Sequence, residues 1–234
     1  RIRINAYVAN EKRCLTLRIL PDNLPKWQDL GLPKPFIELT KKHRGLVLCT
    51  GPTGSGKSTT LAAFINCILE TQKRHILTIE DPIEFEFNHT QNSIIHQREV
   101  KRDTKSFTSA LKAALREDPD IIYIGEMRDL ETIQLAITAA ETGHLVLGTL
   151  HTSSAAKTVE RIVDVFPADQ QEQARLQVST SLVGIMSQTL CKNKMGKRSL
   201  AYEMLINTAA ISNLIRERKV SQIYSQLQTG VNDG

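Results

Sequence analysis

The stretch GPTGSGKS, Gly51 to Ser58, decides the fold of this chain. It fits the pattern G-x-x-x-x-G-K-[ST], in which glycines let backbone N–H groups turn inward around phosphate oxygens. The apolar run LVLCT precedes it, and a helical pattern extends from Lys57 to about Gln72. This context predicts a strand, a phosphate-binding loop and a helix whose N-terminus favours anions.

Two side chains of this loop have predicted roles in nucleotide binding. The Lys57 ammonium reaches the outer phosphates, and the Ser58 hydroxyl is a ligand of Mg²⁺. The candidate nucleotide-binding residues are Gly51, Pro52, Thr53, Gly54, Ser55, Gly56, Lys57, Ser58 and Thr59.

From Phe36 onward, strand patterns alternate with helical patterns. After LVLCT come the strands HILTIE, IIYIG and LVLGTL. The helices SFTSALKAALRE and LETIQLAITAAET lie between these strands, and the helix SAAKTVERIVDVF follows the last of them. Gly143 is placed to cap the second of these helices. Near-continuous apolar strands in such an alternation predict an α/β fold with a mostly parallel sheet covered on both faces.

The first twenty residues alternate between apolar and polar. The apolar positions are Ile2, Ile4, Ala6 and Val8, then Leu15, Leu17 and Ile19, with ANEKR between the two sets. This pattern predicts a two-stranded ribbon, which is too little sheet to be stable alone. We therefore expect residues 1–24 to be the trailing edge of a domain, followed by a proline-marked linker at residues 25–35.

Acidic residues follow two of the predicted strands. Glu80, Asp81 and Glu84 in TIEDPIEFEF lie just beyond a strand, at the edge where α/β proteins bind ligands. The alternative is an acidic surface turn that begins at Asp-Pro. Glu126 in GEMRD lies at the same edge and can hold Mg²⁺ through a coordinated water; the alternative is an ion pair with Arg128.

Two histidines lie near the ends of the LVLGTL strand. His151 follows this strand at the edge of the phosphate loop, where its imidazole can hydrogen-bond a terminal phosphate. A structural role for this histidine is the alternative. His144 lies at a helix C-terminus, where the helix dipole explains it.

The composition excludes a membrane span. The chain has 234 residues, is 41% hydrophobic and begins at Arg1 without a signal peptide. Its longest uncharged run, Leu176 to Cys191, is interrupted by Ser, Thr and Gln, and we expect a packed helix there. We expect a fragment of a longer cytoplasmic protein.

The net charge of +5 is unevenly distributed. Between Lys192 and Lys219 there are seven Lys or Arg and two Glu. A solvated face explains this excess, and a docking surface for an acidic partner or an anionic membrane is the alternative. Nucleic acid is not expected as a partner, because only 5% of residues are aromatic and no basic groove with interleaved aromatic residues is evident.

Together, these segments resemble the ATPases of bacterial type II secretion and type IV pilus machines, and within them the ATPases that retract type IV pili. The resemblance extends through nearly all of residues 46–230. The matching segments are GPTGSGKSTT, TIEDPIEF, QREV, ALREDPDIIYIGEMRD, TAAETGHLVLGTLHTSSAAKT, RIVDVFP and SNLIRERKVSQIYSQLQTG.

The resemblance implies a RecA-like ATPase domain, residues 36–234, behind a PAS-like domain. Residues 1–24 would be the last strands of that PAS-like domain, and the assembly would be a homo-hexameric ring. Arg18 and Arg3 match strands of the family whose arginines reach the terminal phosphate of ATP.

The resemblance also implies catalytic roles. Glu126 corresponds to the acid that supports Mg²⁺, and Glu84 corresponds to the glutamate that polarises the attacking water. His144 and His151 correspond to the two histidines of a conserved motif of the family.

The C-terminal region favours the retraction branch of the family. Relatives that assemble pili or secrete proteins carry a zinc motif of paired cysteines, which Cys191 alone cannot build, so no zinc is expected. The segment near the C-terminus resembles A-I-R-N-L-I-R-E, the signature of the retraction ATPases. It differs at Ser212, where the signature has Arg, and at Arg218, just after the signature, where an acidic residue is usual. The implied function is a cytoplasmic ATP-driven motor that withdraws pilin for twitching motility.

Such a motor acts on a platform protein at the inner face of the inner membrane. The alternatives are a pilus-assembly or type II secretion ATPase, a RecA-like nucleic-acid translocase and a small-molecule kinase.

Overall fold

The N-terminal hairpin and a seven-stranded sheet form two separate β-structures. The computed structural model describes residues 2–21 and 23–230, so residues 1, 22 and 231–234 of the predicted ranges lie outside the described residues. The strands are β1 (Ile2–Ala9), β2 (Lys12–Ile19), β3 (Gly45–Thr50), β4 (His75–Glu80), β5 (Ile94–Glu99), β6 (Ile121–Ile124), β7 (Leu145–Leu150), β8 (Leu182–Lys192) and β9 (Arg198–Ile206).

Eight helices are present among the described residues. They are α1 (Lys34–Glu38), α2 (Lys57–Thr71), α3 (Phe107–Ala114), α4 (Leu130–Glu141), α5 (Ala155–Asp164), α6 (Gln171–Ser181), α7 (Ala209–Arg216) and α8 (Ser221–Thr229). Gly143 follows the end of α4 with a φ of 121°, as expected for a capping glycine. Among these residues, no helix has both the length and the apolar character needed to span a bilayer.

The large sheet has the strand order β5-β4-β6-β7-β3-β8-β9. All neighbouring strands are parallel except β8 and β9, which are antiparallel. The predicted α/β fold with a mostly parallel sheet is therefore confirmed. Because β3, β4, β6 and β7 run in one direction, their carboxyl ends lie at one edge of the sheet.

Helices cover both faces of this sheet. Alternate residues of β3 show the division, because Leu46 and Leu48 pack with α3 to α8, and Val47 and Cys49 pack with α1 and α2. All four side chains are fully buried. Burial on both faces explains why the strands have no polar alternation in the sequence.

The run Leu176–Cys191 is not one helix, so that prediction is wrong. Helix α6 ends at Ser181, and β8 begins at Leu182 beside β3. The first half of β8 is mostly buried, and a strand buried on both faces lacks the period of two that distinguishes it from a buried helix.

The predicted N-terminal ribbon is an antiparallel hairpin of β1 and β2. Asn10 and Glu11 both have positive φ, 50° and 60°, as a two-residue turn of this hand requires. The apolar positions, including Ile4 and Leu17, lie on one face and are exposed; Arg3 and Arg18 are paired on the other.

The segment predicted as a linker packs against the large sheet. Leu32 is buried, and Trp27 and Leu30 contact the same apolar cluster as α2. Helix α1 begins at Lys34, within the predicted linker range. Residues 25–35 therefore fix the path of the chain from the hairpin to the sheet.

Candidate active site

A cavity of about 570 Å³ lies at the edge of the sheet where the strands end. It brings together ten of the residues predicted for the site, which are Arg18, Thr53, Gly54, Gly56, Lys57, Ser58, Thr59, Glu84, Glu126 and His151. They come from the N-terminal hairpin, the phosphate loop and the ends of three strands. One concave site thus contains most of the residues that the sequence predicted for it.

The phosphate loop lies between β3 and α2, as predicted. Gly51 and Gly56 have φ of 143° and 89°, which other residues rarely adopt. A Cβ at Gly51 would also collide with the carbonyl oxygen of Gln188 on β8. Gln188 also fixes the loop to β8, because its Nε2 donates to the Ser55 carbonyl over 2.7 Å.

The Lys57 side chain is buried inside the loop. Its Nζ donates to the carbonyl oxygens of Gly51 and Pro52 over 2.8 and 3.1 Å, and lies 3.4 Å from His151 Nδ1. Burial lowers the pKa of Lys57, and the carboxylates of Glu84 and Glu126 oppose that shift. A partly desolvated ammonium at this position attracts phosphate oxygens strongly.

The loop fits a phosphate group. The Ser55 hydroxyl is buried and has no hydrogen-bond partner among the described residues, which is uncommon for a buried polar group. An anion held by the loop is the kind of group that such a hydroxyl can bind. Ser58 and Glu126 line the same cavity and offer the oxygen ligands that Mg²⁺ prefers.

The acidic loop, residues 81–87, brings Glu84 to the cavity. Its carboxylate Oε1 lies 3.6 Å from Arg18 Nη2 of the hairpin. The Arg18 side chain is 64% exposed, so this ion pair contributes little to stability. The contact does place a guanidinium of the hairpin at the rim of the cavity.

Glu126 follows β6 and has two basic neighbours. Arg128 Nε forms an ion pair with Glu126 Oε1, and His151 Nε2 lies 2.9 Å from the same oxygen. Partial burial acts to raise the pKa of Glu126, but the hydrogen bonds and charges of Arg128 and His151 outweigh it, so the pKa is below its ordinary value. The ion pair with Arg128, our alternative interpretation, is thus present, and the carboxylate stays ionised.

Glu80 is a buried carboxyl beneath the cavity. Its Oε1 accepts hydrogen bonds from Thr78 and Gln97 over 2.7 and 3.1 Å. Burial, assisted by the charge of Glu84, raises the pKa of Glu80 from 4.5 to about 7. The folded chain therefore binds this proton more tightly than the unfolded chain, and stability falls as the pH rises from 4.5 to about 7.

Replacing Glu80 by Gln should remove this pH dependence. The quantity of interest is the free energy of unfolding of the unmodified protein minus that of Glu80→Gln. We expect this difference to fall by about 1–3 kcal/mol between about pH 5 and pH 8. Urea unfolding at each pH measures the difference. Glu172→Gln, which removes an exposed carboxylate, is the control, and a pH-independent difference for Glu80→Gln would contradict the raised pKa.

Among the predicted catalytic residues, two do not line the cavity. Arg3 pairs with Arg18 in the hairpin register but does not line the cavity. His144 lies at the opposite edge of the sheet, just before β7, and its Nδ1 is 3.1 Å from the Ala139 carbonyl at the end of α4. That contact agrees with the role predicted for His144 at a helix C-terminus. His144 has no part in the proposed active site.

Sequence reasoning missed several residues at or near the site. Gln188 and Arg198 lie on β8 and β9, strands that the sequence did not predict, and Gln97 lies on β5, an edge strand that was also missed. A polar side chain within an apolar run, as Gln188 is in LVGIMSQTL, is a signal that could have identified one of them.

The fold and the loop define a P-loop nucleotide-binding protein with a RecA-like sheet. The sequence profile of the type II/IV secretion system protein family matches residues 1–230. The chain belongs to this family, as its motifs predicted.

Two curated relatives and one solved structure are highly similar. The type IV pilus retraction ATPase PilT of Pseudomonas aeruginosa is 55% identical over 230 residues, covering 98% of this chain and 67% of the relative. A twitching motility protein of Neisseria gonorrhoeae is 54% identical over the whole chain and 63% of its own length. The crystal structure of the pilus retraction motor PilT with bound ADP matches with a TM-score of 0.94 at 55% identity, covering 97% of this chain and 66% of that one.

This chain therefore spans about two thirds of the length of these similar proteins.

Proposed function

We propose that this chain is the ATP-hydrolysing part of a motor that retracts type IV pili. The observation that carries the proposal is the meeting of Lys57, Glu84, Glu126 and His151 in one cavity beside the phosphate loop. The retraction ATPase and the twitching motility protein, at 55% and 54% identity, support the same function.

The proposed chemistry is attack of water on the terminal phosphorus of ATP, with cleavage of the bond to ADP. Glu84 accepts a hydrogen bond from the attacking water and orients it. Lys57 and the N–H groups of the loop neutralise the charge on the transferred phosphoryl group, and His151 hydrogen-bonds it. Positioning and charge neutralisation are most of what this reaction requires.

Mg²⁺ is the proposed cofactor. The Ser58 hydroxyl would be its direct ligand, and Glu126 would hold it through a coordinated water. When bound, the ion supplies charge neutralisation at the phosphates.

The proposed domain organisation assigns residues 1–24 to the strands of a PAS-like domain, 25–35 to a linker and 36–234 to the ATPase domain. We propose a homo-hexameric ring in the cytoplasm that acts on a platform protein at the inner face of the inner membrane. Arg18 at the rim of the cavity would then contact the terminal phosphate. Arg3, on the same face of the hairpin, is a weaker candidate for this contact.

The proposal is tested first on the purified protein and then in cells. We expect Mg²⁺-dependent phosphate release from ATP without an acceptor and without stimulation by nucleic acid. A requirement for an acceptor would indicate a kinase, and stimulation by single-stranded DNA would indicate a translocase. Cells of the source organism that lack this gene should keep extended pili; loss of all pili would instead indicate an assembly ATPase.

A further inference from the structure

The acidic loop is held by side chains on both sides of Glu84. The backbone N–H of Ile83 donates to Glu99 Oε2 over 3.1 Å, and the Glu84 N–H donates to the carboxylate of Glu80. The Phe85 carbonyl accepts from Gln97 Nε2 over 2.9 Å. Three successive residues are thus fixed to the sheet through directional bonds.

Gln97 is the central group of this network. Its Nε2 donates both to the Phe85 carbonyl and to Glu80 Oε1, over 2.9 and 3.1 Å, and its Oε1 accepts the Phe87 N–H over 2.9 Å. Both amide protons and the carbonyl oxygen are therefore used. Gln97 joins the last residue of β4 to two points of the acidic loop.

Burial of apolar side chains alone does not fix the orientation of the acidic loop. Ile83 and Phe85 are buried on either side of Glu84. Burial of this kind is non-directional, whereas hydrogen bonds fix the angle between backbone and sheet. The direction in which the Glu84 side chain leaves the loop therefore depends on the polar network.

We propose that Gln97 is a positioning residue for ATP hydrolysis, which sets the backbone of the acidic loop so that the Glu84 carboxylate reaches the attacking water. Gln97 is not among the residues that line the cavity, so it acts through the loop and does not contact the nucleotide. This inference rests on the proposed function. It assigns a role in the reaction to Gln97, which lies on the edge strand β5.

The nearly isosteric Gln97→Glu variant tests the proposal. The variant keeps an oxygen that can accept from Phe87, loses both donors and brings a carboxylate towards Glu80 and the Phe85 carbonyl. We expect kcat for ATP hydrolysis to fall about tenfold or more, with KM for Mg-ATP within about twofold of the unmodified protein. A positioning defect lowers kcat and leaves KM nearly unchanged, because binding of Mg-ATP at the phosphate loop is preserved.

The pH dependence separates positioning from general damage. At low pH the new carboxyl and Glu80 can share a proton, which restores one O–H donor between them. The kcat deficit of Gln97→Glu, relative to the unmodified protein at the same pH, should shrink at least threefold between about pH 8 and pH 6. Gln97→Met removes all three bonds without adding a charge, and its deficit should stay constant with pH.

Gln91→Glu is the matched control, because it makes the same substitution at an exposed residue before β5. It should leave kcat and KM unchanged. If the unmodified protein does not hydrolyse ATP, the proposed function fails. If it does, unchanged kcat in folded Gln97→Met, or a loss expressed only in KM, overturns the role of Gln97. Should Gln97→Glu not fold, Gln97→Met alone decides the question.

Discussion

Lys57→Ala should abolish ATP hydrolysis, with a fall in rate of at least about 100-fold. The substitution removes the ammonium that the loop holds against the Gly51 and Pro52 carbonyls, 2.8 and 3.1 Å away. Removing this charge leaves the developing negative charge of the phosphoryl group without its nearest side-chain cation in the loop. Phosphate release at saturating Mg-ATP measures the loss.

Lys73→Ala is the control for this variant, because Lys73 is an exposed lysine just beyond the other end of the same helix. It removes the same charge from the chain and should leave the rate unchanged. Thermal unfolding of both variants verifies that the domain is intact. Near-normal turnover in folded Lys57→Ala would be incompatible with the proposed role of the phosphate loop.

Glu84→Gln and Glu126→Gln should differ in kind. An amide at position 84 keeps its place at the cavity but, having no charge, polarises the attacking water poorly, so Mg-ATP should bind normally and hydrolysis should slow by about 100-fold or more. Glu126→Gln weakens the water-mediated hold on Mg²⁺, so about tenfold more metal should be needed for half-maximal activity. Titrating Mg²⁺ at fixed ATP in each variant distinguishes the two effects.

The exposed Glu131→Gln, on the first turn of α4, controls for loss of one negative charge near this edge. Its metal dependence should match that of the unmodified protein. Equal metal dependence in Glu84→Gln and Glu126→Gln would show that the proposed division between water activation and metal support is wrong.

The sequence predicted those elements whose local pattern agrees with their final environment. The strand before Gly51, the helix from Lys57 and the later strands IIYIG and LVLGTL occur as predicted. In each case a buried strand is separated by glycine, proline or a polar cap from a helix of clear period. The N-terminal hairpin was predictable because apolar and polar residues alternate along most of both strands.

The elements that were missed depend on tertiary contacts. Strand β8 is buried by neighbours on both sides, β3 and β9, and its sequence carries no alternation that indicates those partners. Strand β5 reads IIHQRE, in which only the first two residues are apolar. Pairing with β4 makes it a strand, and pairing between distant segments is not encoded in a local pattern.

The candidate site was predictable as a set of residue types at one edge of the sheet. The contacts between particular acidic and basic side chains could not be predicted, because they depend on positions that only the folded chain defines. Glu126 bonds to both Arg128 and His151, although the sequence analysis treated the metal and ion-pair roles as alternatives. The role of Gln97 was not predicted, because it depends on the Phe85 carbonyl, the Phe87 N–H and the Glu80 carboxylate, which only the folded chain brings together.

The two faces of the N-terminal hairpin carry different chemistry. Ile4 and Leu17 are exposed on one side, and Arg3 and Arg18 are on the other. Because neighbouring residues of a strand point in opposite directions, a tilt of the ribbon moves both faces together. A tilt caused by a contact on the apolar face would therefore also change the distance between Arg18 Nη2 and Glu84 Oε1, which is 3.6 Å here.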